Sequence, residues 1–197
     1  MQRFVIIVDT QADFMLADGA LPVAGAEALV APMQAWLAAL QPEETAGALF
    51  TFDTHSAETY PGSAEAEQFP IHCVRGTHGW NNMLDAAVID PAIPTYRLEK
   101  NVFDMWAETG LQVEGPGTGD GAERDRFFAE LKASGVTDVA VIGVAADYCV
   151  RWAIEGLLAR GFTVEVPAGL TRGIERSIEQ VAESDFAGAA IRLDVAA

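Results

Sequence analysis

Short apolar runs alternate with segments of helical periodicity along most of the chain. The runs lack a polar face, which is typical of strands covered on both sides, and they predict strands at 4–8, 48–52, 96–99, 139–142, 162–166 and 190–193. Apolar spacing predicts helices at 26–40, 122–133, the segment after Cys149 and 174–186, although Pro32 disfavours a helix interior. This alternation predicts an α/β three-layer sandwich, with a mainly parallel sheet and helices on both faces.

One long segment breaks the alternation. Residues 54–95 are rich in Gly, Pro, Ser and Thr and show little periodicity, and a shorter turn region is predicted at 113–121. Compact domains rarely carry so long an irregular segment without a functional reason. We therefore expect a single domain over 1–197 with a site-building excursion at about 54–95.

The charge of the chain limits its partners. Twelve Lys and Arg against 29 Asp and Glu give a formal net charge of −17, which repels nucleic acid and anionic membranes. No window approaches the roughly 20 apolar residues of a membrane span. Two cysteines and the lack of a signal-peptide pattern predict a reducing cytoplasm.

Four reactive side chains follow predicted strands. Asp9, Asp53, Lys100 and Cys149 each stand at or just after a strand end. Because ligands bind beyond the carboxyl ends of parallel strands, we expect these side chains to gather at one edge of the sheet. This convergence predicts an active site there.

Each of these residues also has an ordinary interpretation. Cys149 begins a predicted helix, whose N-terminus would lower the thiol pKa and offer N–H groups to an oxyanion, but it is also compatible with an inert core thiol. Asp9 fits a proton acceptor, a helix N-cap or a strand-end acid bonded to backbone. Lys100 fits a buried partner of both groups or a solvated lysine. Cys73 fits a small buried hydrophobe.

The excursion also contains candidate metal ligands. Asp53 and His55 form an Asp-x-His at a strand end, and His72 follows in the loop, a mixed N/O set suited to a divalent ion. Ordinary surface acids and histidines explain the same residues equally well. Further oxygen ligands are available from Glu58, Glu65 and Glu67, whereas His78 is left unassigned.

Aromatic residues lie near the same edge. Phe14 and Phe69 stand where a flat substrate could stack, although loop packing explains them as well. Trp80 and Trp106 are weaker candidates for lining the site. The chain has neither a G-x-G-x-x-G after a strand nor a G-x-x-x-x-G-K-[ST] loop, so nucleotide chemistry has no support.

The ordered motifs resemble those of the isochorismatase-like cysteine hydrolases, and within them the metal-containing nicotinamidase/pyrazinamidase branch. The motifs are VDTQADF at 8–14, DTH at 53–55, FPIHCVRGTHG at 69–79, Lys100, and GVAADYCV at 143–150. The resemblance covers about residues 4–194. It implies the isochorismatase-like hydrolase fold.

The resemblance also implies catalytic roles. Cys149 would be the nucleophile, Asp9 the proton shuttle and Lys100 their electrostatic partner. A cis peptide is implied between Val144 and Ala145, with the N–H groups of Ala145 and Cys149 forming the oxyanion hole.

A metal and a substrate follow from the same resemblance. The implied ligands are Asp53, His55, His72 and, by similar placement to some members, Glu65. They would bind one divalent ion, with Zn²⁺ favoured over Fe²⁺ or Mn²⁺, and the ion would bind a pyridine nitrogen. Phe14 and Phe69 would hold the ring.

The implied reaction is hydrolysis of nicotinamide to nicotinate and ammonia through a Cys149 thioester. One alternative is metal-independent hydrolysis of another amide, carbamoyl or ureido compound, and a second is a non-catalytic binding module on the same fold. Thr54 and Ala146 depart from residues common in the family, which bears on the substrate more than on the reaction. The family commonly self-associates, so a homo-oligomer acting on a small amide is expected.

Overall fold

A computed structural model describes residues 2–116, 119 and 121–194 of the chain. Within them, nine strands form one sheet. The strands are β1 Arg3–Val8, β2 Thr45–Asp53, β3 Thr95–Lys100, β4 Gln112–Glu114, β5 Ala122–Glu123, β6 Asp138–Val144, β7 Thr163–Pro167, β8 Thr171–Arg172 and β9 Ile191–Asp194. Their order is β5-β4-β3-β2-β1-β6-β7-β9, and β8 pairs with β6.

The sheet is mainly parallel. Only the β3–β4 and β4–β5 pairs among these strands are antiparallel. Phe4 to Val8 of β1 are all buried, so both faces of the sheet are covered at its centre. These features confirm the predicted α/β sandwich with a mainly parallel sheet.

Five α-helices accompany the strands in the described residues. They are α1 Ala12–Met15, α2 Val30–Ala38, α3 Arg124–Ala133, α4 Cys149–Ala159 and α5 Ile178–Asp185. The helix predicted at 26–40 is a 3₁₀ turn, Ala26–Leu29, followed by α2. Pro32 therefore lies in the first turn of α2, where its missing N–H costs no helical hydrogen bond.

Local chemistry explains where two helices begin. Residues 122 and 123 belong to β5, so α3 starts two residues later than predicted, where the Glu123 carboxylate accepts a hydrogen bond from the Arg126 N–H. Helix α5 starts at Ile178 because Ser177 and Gln180 form a capping box. The prediction of a helix from 174 was four residues early.

The irregular excursion is present as predicted. Between β2 and β3 the described structure is loops with 3₁₀ turns at Tyr60–Gly62, Glu65–Glu67 and Ala86–Val88. The turn predicted at 113–121 overlaps β4 instead, and its residues 117, 118 and 120 lie outside the described residues. Apolar spacing does not predict α1 and β8, because both are too short to show periodicity.

The topology places four strand ends side by side. Strands β3, β2, β1 and β6 are consecutive neighbours and parallel. At Gly143 a side chain has no room, because a Cβ would lie 2.1 Å from the Val8 carbonyl oxygen, and φ is +122°. Strand β6 thereby approaches β1 closely just before the turn that carries Cys149.

One hydrophobic cluster extends through the described residues. It supports the prediction of a single domain over 1–197, which stays a prediction. None of the helices in the described part of the chain is long and apolar enough to cross a membrane. Cys73 and Cys149 are both buried and unpaired.

Candidate active site

The side chains of Asp9, Lys100 and Cys149 meet in a buried cluster. Lys100 Nζ lies 2.7 Å from Asp9 Oδ2 and 3.8 Å from Cys149 Sγ. The exposed fractions of Asp9, Lys100 and Cys149 are 0%, 1% and 4%. The structure thus brings together the three residues predicted to be catalytic, at the sheet edge where their strands end.

Backbone and side chain together fix the Asp9 carboxylate. Asp9 has φ +48°, a left-handed conformation that Asp tolerates better than most residues and that turns the chain at the end of β1. The Thr51 hydroxyl donates to Asp9 Oδ1 at 2.6 Å. Thr51 was not among the predicted site residues, although a polar residue within an otherwise apolar strand was the available signal.

Cys149 is the first residue of α4 and follows a tightly constrained turn. The peptide bond between Val144 and Ala145 is cis. The Ala145 carbonyl accepts hydrogen bonds from the Tyr148 and Val150 N–H groups. Within the described part of the chain, the N–H groups of Ala145 and Cys149 have no acceptor, so both are available to an oxyanion.

The pKa of Cys149 shifts in the direction opposite to the sequence-based expectation. The helix N-terminus was expected to lower the thiol pKa, but burial and the Asp9 carboxylate raise the pKa of Cys149 well above its ordinary value, against the opposing effect of Lys100. Burial alone would lower the pKa of Lys100, but Asp53 and Asp9 raise it well above its usual value. Both shifts favour the protonated forms of Cys149 and Lys100.

Four further side chains form a second cluster next to Lys100. Candidate ligand atoms of Asp53, His55, Glu65 and His72 all lie within 4.8 Å of one another. His55 Nε2 is 3.3 Å from Asp53 Oδ2 and 3.4 Å from Glu65 Oε2, and His72 Nε2 is 3.1 Å from Asp53 Oδ2. Ligands bound at about 2.0–2.2 Å in a tetrahedron lie roughly 3.3–3.6 Å apart, so these spacings suit a divalent ion.

The hydrogen bonding of the cluster also fits metal ligands. His55 Nε2 and Glu65 Oε2 are buried and make no hydrogen bond within the described residues. In two of the candidate ligands, the side-chain atom that points away from the cluster contacts the backbone. His72 Nδ1 lies 2.8 Å from the Pro70 carbonyl oxygen, and Glu65 Oε1 accepts a hydrogen bond from the Phe103 N–H at 2.7 Å. Outer partners of this kind orient ligand atoms toward a shared centre.

The structure distinguishes Glu65 from the other candidate acids. Glu58 and Glu67 are exposed and lie outside the cluster of ligand atoms, and His78 is exposed as well. Lys100 Nζ is 3.7 Å from Asp53 Oδ1, which links this cluster to the Asp9–Lys100 ion pair. Despite the burial of Asp53, its pKa is held well below the usual range by Lys100 and the two histidines.

Aromatic rings surround the metal-ligand cluster. The Phe14 ring centroid is 5.2 Å from that of His72, and Phe103, which the sequence did not indicate, stacks on His72 with a centroid distance of 5.7 Å. Phe69 packs edge-on against Phe103 and Tyr148. Phe69, Phe103 and Tyr148 help to line a cavity of about 270 Å³ beside Glu65.

The two tryptophans considered from the sequence contact residues other than the four candidate metal ligands. Trp106 Nε1 donates to the Trp152 carbonyl, and its ring packs on Phe128 of α3. Trp80 donates to the Thr54 hydroxyl, and its ring is tilted against that of Phe52. Neither tryptophan is among the residues that line the cavity beside Glu65, and the suggestion that they line the site stays a prediction.

Comparison with known proteins agrees with the motifs. No family model matches the chain. The chain is 29% identical over 192 residues to a nicotinamidase/pyrazinamidase of Mycobacterium tuberculosis, covering 97% of both proteins.

Solved structures share the fold at lower identity. The pyrazinamidase of Pyrococcus horikoshii in complex with zinc is 23% identical, with a TM-score of 0.74 and coverage of 98% of this chain and 99% of that chain. An isochorismatase-like hydrolase from Alkaliphilus metalliredigens is 18% identical, with a TM-score of 0.68 and coverage of 98% and 94%. The resemblance that the motifs indicated is thereby confirmed, because the chain is similar to nicotinamidase/pyrazinamidase along its length and has the fold of the isochorismatase-like hydrolases.

Proposed function

We propose that this chain is an amidohydrolase that converts nicotinamide and water to nicotinate and ammonia through a thioester on Cys149. The observation that carries this proposal is the buried contact of Lys100 Nζ with both Asp9, at 2.7 Å, and Cys149 Sγ, at 3.8 Å. The adjacent cluster of Asp53, His55, Glu65 and His72 and the similarity to a nicotinamidase/pyrazinamidase support the choice of substrate.

The proton follows a short path in this mechanism. Asp9 accepts the proton of the neutral Cys149 thiol as sulfur attacks the amide carbon, and Lys100 stabilises the developing thiolate. Collapse of the tetrahedral centre breaks the C–N bond, and ammonia leaves with the proton held by Asp9. Water then gives a proton to Asp9 and attacks the thioester, which releases nicotinate and returns the proton to sulfur.

The oxyanion is stabilised by the turn that precedes α4. The N–H groups of Ala145, at the start of the turn, and of Cys149 itself have no acceptor in the described residues. Donors already in place cost no reorganisation when negative charge develops on the carbonyl oxygen. We assign the oxyanion hole to these two groups.

A divalent metal fits the second cluster, and we propose Zn²⁺, with Fe²⁺ or Mn²⁺ as alternatives. Asp53, His55, Glu65 and His72 would hold it, since a mixed nitrogen and oxygen set suits all three ions. When bound, such an ion acts as a Lewis acid that attracts and orients a pyridine nitrogen. The solved zinc complex of a pyrazinamidase with the same fold supports this choice.

The substrate ring is assigned to the aromatic residues beside the ligands. Phe14 lies against His72, and Phe69 lies at the cavity of about 270 Å³ next to Glu65. We propose that both hold the pyridine ring and that substrate enters through this cavity. Stacking on aromatic side chains favours a flat heterocycle over an aliphatic amide.

The test is an ammonia-release assay with nicotinamide, pyrazinamide and carbamoyl amines, run with and without a chelator. We expect release from the two aromatic amides, its loss after chelation and its return with Zn²⁺. Chelator-resistant activity confined to carbamoyl compounds would favour the metal-independent alternative. Absence of both turnover and alkylation of Cys149 would favour a binding module.

Removal of Glu65 tests the fourth ligand. We expect Glu65→Gln to weaken metal binding by more than the roughly 10–100-fold typical of losing an outer-shell partner. Glu67→Gln is the matched control, because Glu67 is exposed on the same 3₁₀ turn. Titration of the metal-free proteins with Co²⁺, followed by absorbance, measures the affinities. Equal Co²⁺ affinity of the two variants would show that Glu65 is not a metal ligand.

Two further expectations stay predictions. The unpaired state of Cys73 and Cys149 supports a reducing cytoplasm. Self-association is expected from the family resemblance, and sedimentation analysis would measure it.

A further inference from the structure

The segment between Asp9 and Phe14 sends two polar side chains toward the metal-ligand residues. Gln11 is fully buried and makes three hydrogen bonds. Its Oε1 accepts from the Asp53 N–H at 2.8 Å, and its Nε2 donates to the Asp53 carbonyl at 2.8 Å and to the Trp80 carbonyl at 3.1 Å. One amide group thus holds both backbone polar groups of a candidate ligand.

Asp13 makes an equivalent contact with the loop that carries His72. Asp13 Oδ2 accepts from the Cys73 N–H at 2.7 Å, and Oδ1 accepts from the Ala20 N–H at 3.0 Å. The fit is tight, because a Cβ at Gly79 would lie 2.1 Å from Asp13 Oδ2. The carboxylate therefore has no room for a longer side chain.

These contacts act on two segments that backbone pairing also joins. Asp53 lies at the end of β2 and His72 lies in an irregular loop, and a parallel β-bridge between His55 and Val74 connects the two segments, with the His55 N–H donating to the Cys73 carbonyl at 3.0 Å. Gln11 binds the Asp53 backbone and the Trp80 carbonyl, and Asp13 binds the Cys73 and Ala20 N–H groups. Together they add side-chain contacts to the backbone bridge and hold the strand-end ligand and the loop ligand against the segment that follows Asp9.

We propose that Gln11 and Asp13 are positioning residues for the metal centre. They act through the backbone of Asp53 and Cys73, and they join the metal-ligand segments to the segment that carries Asp9. This inference rests on the metal site of the proposed function. Loss of either contact is expected to lower metal affinity about 10–100-fold, the usual effect of outer-shell partners.

The test for Gln11 has a close internal control. Gln34 makes the same paired contact with a backbone far from the ligands, donating to the Asp85 carbonyl and accepting from the Asp85 N–H, each at 2.9 Å. Gln11→Met and Gln34→Met remove the amide group without changing charge. We expect only Gln11→Met to weaken Co²⁺ binding, measured by absorbance titration of the metal-free protein.

The test for Asp13 keeps its charge and changes only its length. Asp13→Glu is expected to weaken Co²⁺ binding about 10–100-fold. Its control is Asp90→Glu, because the Asp90 carboxylate accepts from the Ala92 N–H in an exposed loop. The charge of each protein is unchanged, so a difference in affinity reports geometry.

Thermal unfolding of each metal-free variant accompanies the titrations. Folded Gln11 and Asp13 variants that bind Co²⁺ within about threefold of wild type would overturn the inference. It would also be overturned if neither metal-free variant folds, because both side chains would then serve general stability. A wild-type protein without measurable Co²⁺ binding would instead refute the metal site of the proposed function, and the inference would fail with it.

Discussion

Cys149→Ala is expected to lower ammonia release by at least about 10⁴-fold, because the mechanism has no other nucleophile. The change removes one buried sulfur and leaves Asp9 and Lys100 paired at 2.7 Å. Folding and metal binding should therefore be retained. Mass spectrometry of acid-quenched reactions should detect an acyl group on the wild-type chain and none on the variant.

The second cysteine provides the control for this experiment. Cys73 is buried, and burial raises the pKa of its thiol strongly, so it is expected to remain an inert thiol. Cys73→Ala should still accumulate the acyl group at Cys149. Substantial ammonia release by Cys149→Ala would contradict the thioester mechanism.

Lys100→Met should both abolish turnover and lower the free energy of unfolding by about 3–5 kcal/mol, as expected when one partner of a buried ion pair is removed. Lys100 is 1% exposed and lies near two buried carboxylates, those of Asp9 and Asp53. Methionine has a similar shape but leaves these charges without compensation. Urea denaturation of the metal-free proteins measures the loss.

The only other lysine in the sequence is the control. Lys132 is exposed and donates to the Arg160 carbonyl at 2.6 Å. Lys132→Met is expected to change the free energy of unfolding by about 0.5 kcal/mol or less. Equal losses for the two variants would show that the buried ion pair does not account for the effect.

The pH dependence provides a second check on Lys100. The raised pKa of Lys100 contributes stability that is present below about pH 10, the unfolded value, and is lost as pH rises through the folded pKa. The lowered pKa of Asp53 contributes stability that is present above about pH 4 and is lost as pH falls. In metal-free protein, the stability difference between wild type and Lys100→Met should therefore be largest between about pH 4 and 10.

Sequence patterns predicted the long elements well and their ends less well. The apolar runs around Val5 and Val141 lie in buried central strands, where both faces require apolar side chains. Helix α5 begins later than predicted because Ser177 forms a cap that apolar spacing does not reveal. Strand β4 was missed because three residues are too few to show periodicity.

The candidate site was predictable where a residue type carries its own chemistry. Asp9, Lys100 and Cys149 were identified because reactive side chains followed predicted strands, and the structure brings them together. Thr51 and Gln11 were missed because a neutral polar side chain has no sequence signature of its hydrogen-bond partner. Their roles depend on atoms 42 residues away in the sequence.

The sequence by itself determined the order of strands and helices, the acidic charge and the residues able to serve as nucleophile, base and metal ligands, since these follow from side-chain type and local periodicity. Only the tertiary structure shows the burial that raises the pKa of Cys149 and the proximity of Glu65, which the family resemblance had implied as a ligand, to Asp53, His55 and His72. Both depend on burial and on distances between segments remote in the sequence. Such quantities arise from packing, which no local pattern encodes.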